Sequence, residues 1–86
     1  MSEVISGFYD VHCSHIVKCN GKFYYVDSVE TCDCGLETMV FNCDEGGKHV
    51  DWNDLYCERY ATYDEMISKH DYIINHLEEF LKEEEN

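Results

Sequence analysis

The stretch HIVKCNGKFYYV, residues 15–26, decides how the chain is read. Asn20-Gly21 is a strong signal for a type I′ turn, because both central positions of that turn need positive φ and these two residue types tolerate it. A two-residue loop fixes the register on either side. Cys19 then faces Lys22, Val17 faces Tyr24 and His15 faces Val26. Ile16, Lys18, Phe23 and Tyr25 fall on the opposite side. Both faces are partly apolar, so the turn sets the register while the core face stays open.

Outward from this hairpin, LETMVFNC (36–43) reads as a third strand, with Met39 and Phe41 on one side and Val40 and Asn42 on the other. DEGGK (44–48) then breaks the chain. HVDWNDL (49–55) reads either as loop or as a short helical turn. YCERYA (56–61) reads as a fourth strand, in which Tyr56, Glu58 and Tyr60 alternate against Cys57, Arg59 and Ala61.

The next segment has helical period. Thr62 is a good N-cap, and Glu65 three residues later completes a capping box. Tyr63, Met66, Ile67, Ile73, Ile74, Leu77, Phe80 and Leu81 form one apolar stripe. A helix over 63–82 follows, roughly 30 Å long at 1.5 Å per residue. Glu83, Glu84 and Glu85 oppose the dipole at its C-terminal end and should fray it. The sum is an α+β domain, an antiparallel three- to four-stranded β-meander with one long C-terminal helix packed on a face. One domain covers residues 1–86, with 1–7 and 83–86 frayed.

Charge bounds the function. Nineteen Asp and Glu stand against six Lys and Arg, a net of −13. Such a surface repels nucleic acid and anionic lipid, which need cations to displace counterions, and it attracts basic partners. The opening MSEVISGFYD has no basic segment or long apolar run, so it does not read as a signal peptide, and no stretch has the length of a membrane span. The expected location is the cytoplasm, where thiols stay reduced.

Six cysteines, at 13, 19, 32, 34, 43 and 57, raise the question of a framework. In a cytoplasmic chain disulfides are disfavoured. A zinc site built from Cys13, His15, Cys32 and Cys34 is the alternative, since Cys13 and His15 share a strand face and the following loop can bring up the Cys32-Asp33-Cys34 pair. The spacing matches no standard finger, and free cysteine is commonly a small buried hydrophobe. The base reading has no cofactor, and Cys32 and Cys34 then mark a turn between strands. No P-loop, H-E-x-x-H or G-x-S-x-G is present, and no Cys/His spacing selects a nucleophile, so the chain is not read as an enzyme. His70 lies on the apolar stripe and is expected as a core histidine bonded to a backbone carbonyl. His76 is expected on the solvated flank, and Tyr56, Tyr60 and Tyr63 as core and rim.

The acids form the remaining pattern. Asp44, Glu45, Asp51, Asp54 and Glu58 crowd one region, and Glu78 and Glu79 lie on the exposed side of the helix with Asp71. A solvated face is one reading. The other is a partner-binding surface whose carboxylates pair with Arg and Lys on a basic protein, as a nucleic-acid mimic does. A homodimer through a sheet edge or an aromatic face is a third.

ETMVF (37–41) followed by DWNDLYCERYATYDEMISKH (51–70) resembles a pattern in small uncharacterised proteins of bacteriophages and prophages: E-T-M-V-F, W-x-x-L, R-Y-x-T, an acidic helix start and a histidine. The resemblance covers the central and C-terminal half and carries no catalytic residue. It implies a bacterial host cell as context and, by class, inhibition of a host nucleic-acid-binding or defence protein, as anti-CRISPR and other counter-defence factors do.

Overall fold

The computed structural model describes residues 2–31 and 35–81. Five strands follow one another, β1 (Ser2–Phe8), β2 (Cys13–Cys19), β3 (Lys22–Thr31), β4 (Gly35–Cys43) and β5 (Asp51–Tyr60), and then α1 (Tyr63–Asn75) with a single 3-10 turn at Leu77–Glu79. The strands pair antiparallel in chain order, so the sheet is a pure meander with β1 and β5 at its edges. Helix α1 packs across one face. The α+β class is as expected, and the strand count is five instead of three or four.

The hairpin has the register that Asn20-Gly21 dictates. Cys19 pairs with Lys22, Val17 with Tyr24 and His15 with Val26. Asn20 has φ 54° and Gly21 φ 82°, as a type I′ turn requires. The helix-bearing face takes the odd positions of β2. Val17, Cys19, Tyr24, Val26 and Val40 bury there against Ile73, Ile74, Leu77 and Leu81. The other face is apolar as well because it has a partial roof. The β4–β5 loop crosses it, with Gly47 so close to Ile16 that a Cβ would lie 2.5 Å from Ile16 Cδ1. Trp52 stands edge-on to Phe41 at 5.0 Å.

Three boundaries differ from the sequence reading. Residues 2–7, expected to fray, pair with β2 from Ser2↔Cys19 to Phe8↔Ser14. Pairing skips Ile5, and this bulge disguises the alternation of the strand. Strand β5 begins at Asp51, not at Tyr56. Asn42 pairs with Asp51 and Val40 with Tyr56, so residues 52–55 stand opposite Phe41 alone. Asp51 holds that wide bulge by accepting from the Asn53 N–H and side-chain amide, an Asx turn that gives the segment its loop-like sequence.

Helix α1 starts where expected. Thr62 and Glu65 form both halves of the capping box. It ends at Asn75 instead of residue 82. At His76 the backbone leaves helical space, with φ −139° and ψ 40°. The Ser2 hydroxyl explains the break. It accepts from the Leu77 N–H at 2.6 Å and donates to Glu78 at 2.9 Å, so strand β1 captures the chain just past the helix.

Candidate functional site

Beneath the N-terminal half of α1 the core is polar. His15 Nδ1 and His70 Nε2 share a hydrogen bond of 2.8 Å. His70 Nδ1 lies 2.6 Å from Ser28 Oγ, and Ser28 Oγ lies 2.5 Å from Thr38 Oγ1. The strands place these groups by register. Cys13 pairs with Ser28 and His15 with Val26, Ser28 pairs with Thr38, and all share the helix-bearing face. His70 descends from α1 to join them, one turn above Ile73 and Ile74. His70, Ser28 and Thr38 are wholly buried, and His15 nearly so. His70 is therefore a satisfied core histidine, bonded to two side chains instead of the expected backbone carbonyl.

Room for the pair comes from Gly7. Its φ of +146° and the absence of a side chain let the backbone pass over His15, where a Cβ would lie 2.5 Å from His15 Cδ2 and 2.2 Å from the Ser14 carbonyl oxygen. Tyr9 closes the outer side, with its ring 4.7 Å from that of His15 and its hydroxyl donating to Asp71 at 2.7 Å. Burial and the Asp71 carboxylate push the Tyr9 pKa up to about 12. Burial lowers the pKa of His15. Burial, and then His15, lower that of His70 to about 4. Both rings are neutral at pH 7. At the far end the Tyr60 hydroxyl is buried beside Thr38 but outside good hydrogen-bond geometry with it. Burial raises its pKa to about 12 against the opposing effect of Thr38.

The order Ser28–His70–His15 has the connectivity of a nucleophile, a base and an orienting group. Ser28 and His70 have no exposed surface, and an open groove of about 450 Å³ between β5 and α1 is lined by Glu58, Arg59, Tyr60, Ala61, Glu65, Ser68, Lys69 and Tyr72. The chain of hydrogen bonds acts as a polar key that orients α1 on the sheet.

Of the four expected metal ligands, Cys13 and His15 lie among the described residues. Cys13 Sγ donates to the Asp10 carbonyl at 3.2 Å, and His15 is engaged with His70. Cys32 and Cys34 lie outside the described residues. Among the described residues no three His, Cys, Asp or Glu side chains gather as a metal site. Cys13, Cys19, Cys43 and Cys57 form no disulfide.

The acids are only partly gathered. Asp44 accepts from the Lys48 N–H at 2.8 Å and from His49 Nδ1 at 2.6 Å, and these bonds hold its pKa down at about 2, a firmly ionised carboxylate. Glu45, Asp51 and Asp54 are exposed. Asn42↔Asp51 brings the two sides of this loop together. Between Asp51 and Asp54 stands Trp52, 69% exposed, which the sequence reading passed over. Glu58 belongs elsewhere. It lies on the helix-bearing side of β5, accepts from the Tyr56 hydroxyl, and meets Lys69 Nζ at 3.3 Å. Glu78 is bound by Ser2, and its own backbone N–H and Ser2 lower its pKa. Glu79 accepts from the Tyr72 hydroxyl at 2.7 Å. The 3-10 turn that bears both reaches Ser2, whose strand partner is Cys19, so they sit at the same end of the sheet as the Asn20-Gly21 turn and the β4–β5 loop.

His76 is half-buried, not solvated. Its ring stacks on Tyr72 at 4.2 Å. No helix among the described residues is long and apolar enough to cross a membrane. Set against known protein families, curated proteins and solved structures, the chain matches none.

Proposed function

We propose that this chain is a non-enzymatic binding protein that engages a basic host protein through the acidic corner formed by the β4–β5 loop and the start of β5. The observation that carries the reading is Trp52, 69% exposed on an edge strand between Asp51 and Asp54. A large indole left in water is costly for a small domain, and tryptophan with flanking carboxylates suits an arginine-rich surface, through cation–π contact and paired charge. Asp44, ionised far below neutral pH, and Glu45 extend the corner. Glu78 and Glu79 add charge at the same end. Glu58, matched by Lys69, is left out. With the phage-like sequence pattern, the reading becomes a counter-defence inhibitor of the anti-CRISPR kind, occupying a nucleic-acid groove as a mimic. The net charge of −13 supports it.

The test is capture from bacterial lysate by the tagged chain and by an Asp51→Asn/Asp54→Asn variant, followed by affinity measurements on the captured protein. Affinity should fall at least tenfold from low to physiological salt, and at least tenfold again in the variant or in Trp52→Ala. Binding that ignores both salt and the variants overturns the reading.

A further inference from the structure

Strand β1 buries none of its own side chains. Ser2 is half-buried and residues 3–8 are exposed. The strand pairs with β2 alone, from Ser2↔Cys19 to Phe8↔Ser14, and the ladder is interrupted at Ile5. Beyond that ladder a polar tie fastens each end. At the start, the Ser2 hydroxyl accepts from the Leu77 N–H and donates to Glu78. At the finish, the Tyr9 hydroxyl donates to Asp71 of α1 at 2.7 Å. The chain is anchored again just past Tyr9, where His12 meets Asp27 at 2.5 Å and Cys13 Sγ donates to the Asp10 carbonyl. A strand with so few buried contacts opens at lower cost than the sheet beneath it. What it covers is His15. The Gly7 backbone crosses that ring and the Tyr9 ring lies 4.7 Å from it, which leaves His15 only 5% exposed.

We infer that residues 2–9 form an acid-released strap, closed on β2 while His15 is neutral and swung away about residues 10–12 when His15 takes up a proton, with β2–β5 still paired. The groups facing His15 set the direction. His70 from α1 lies 2.8 Å from its Nδ1 and is itself kept neutral by burial. Asp71 of α1 favours a charged His15, but burial disfavours it more, and the pKa of His15 is lowered. Tyr9 stays a neutral hydroxyl, its pKa raised to about 12. Ser28 from β3 and Thr38 from β4 reach His15 only through His70, and its cross-strand partner Val26 carries no charge. Opening the strap returns His15 to water and to an ordinary pKa near 6.5. The open form therefore gains as pH falls through 6.5, and the closed form is favoured above it. One proton at that value shifts the balance by at most about 25-fold between pH 7 and pH 5.

Native-state amide exchange of the full chain tests the inference, read as protection factors at pH 7, 6 and 5 and at several urea concentrations below the unfolding transition. The amides of β1 that pair with β2 should be less protected than those of Val26 and Val40 at every pH. Their exchange should barely respond to urea, because releasing the strap exposes little surface, whereas exchange at Val26 and Val40 should follow unfolding of the whole chain. From pH 7 to pH 5 the β1 protection should fall by about fivefold or more, up to the 25-fold bound. His15→Asn keeps a polar atom near the Nδ1 position and removes the titration, so β1 protection should lose its pH dependence. Tyr9→Phe removes the tie to Asp71 and should lower β1 protection at pH 7 by about fivefold. Trp52, Asp51 and Asp54 lie on β5 at the other edge, so failure here leaves the proposed function standing. A urea slope in β1 equal to that at Val26, β1 protection that does not change with pH, or a pH response kept in His15→Asn would each overturn the strap.

Discussion

Acid should loosen this fold well before its carboxylates titrate, through His70. In the folded chain His70 is wholly buried and its pKa is pulled from 6.5 to about 4. Its surroundings offer little to a cation. His15 from β2 and Ser28 from β3 hydrogen-bond its two ring nitrogens, one of which donates and the other accepts, Thr38 backs Ser28 from β4, and Tyr9 covers the pair from the β1–β2 loop. Asp71 favours the charged ring and His12 disfavours it. Below pH 6.5 the unfolded chain takes up a proton at this residue and the folded chain does not. Stability therefore falls as pH drops through 6.5 and levels off near pH 4, where the folded ring is itself protonated. Linkage with those two values gives a loss of about 2 kcal/mol between pH 7 and pH 5. For a domain of this size that is roughly an 8–15 °C fall in Tm. His15, also depressed by burial, acts in the same direction. Asp44 and Glu78 have lowered pKa values and enter only below about pH 4.5. Urea denaturation at pH 7, 6 and 5 measures the slope, and imidazole NMR follows the ring. His70→Leu should be less stable at pH 7 by about 1–3 kcal/mol, since Ser28 and His15 lose a partner, yet its slope should be much flatter. A slope equal in both proteins, or a His70 ring that titrates near 6.5, would refute the reasoning.

Other perturbations test the packing around this site. Gly7→Ala should cost about 3 kcal/mol or more, because the new Cβ meets the Ser14 carbonyl and the His15 ring at a positive φ; the urea midpoint should fall accordingly, and Gly21→Ala, with φ 82° but open space, should cost only about 1 kcal/mol. Thr62→Ala removes the hydroxyl that accepts from the Glu65 N–H at 3.2 Å and should cost about 1 kcal/mol by thermal melting. Ser2→Ala frees the Leu77 N–H and the Glu78 carboxylate; amide exchange at Leu77 should quicken at least tenfold while that at Val26, in a central strand, stays unchanged.

Much of this architecture was legible where the information is local. The Asn20-Gly21 dipeptide carries its own φ preferences, so the register of three residue pairs followed from two residues. Thr62 and Glu65 lie within one turn, so the helix start followed as well. What escaped the sequence depends on distant partners. The helix end is set by Ser2, 75 positions from Leu77. Strand β1 was hidden by a bulge whose meaning appears only against β2. The histidine pair was half visible. His70 sat on the stripe and His15 on the hairpin face, while Ser28 was not singled out. Their union needed the height of α1 over the sheet, which no spacing supplies. Of the acids, Asp51 and Asp54 could be grouped by proximity in sequence. Glu58 could not be separated from them until strand alternation turned it toward Lys69.

The division of the core into two halves has a mechanical consequence for α1. Its C-terminal half and the turn beyond it rest on Ile73, Ile74, Leu77 and Leu81, an apolar contact that does not change with pH. Its N-terminal half rests on Met66 and on the His70 hydrogen bonds. Acid favours opening that lets the histidines take up protons, and therefore weakens one half only. At pH 5 amide exchange should quicken in residues 66–70 relative to residues 73–77, and the difference should disappear at pH 7. Uniform acceleration along α1 would mean that helix and sheet open as one unit. In that case the histidine chain would be part of a single cooperative core, with no separate hold on the helix start.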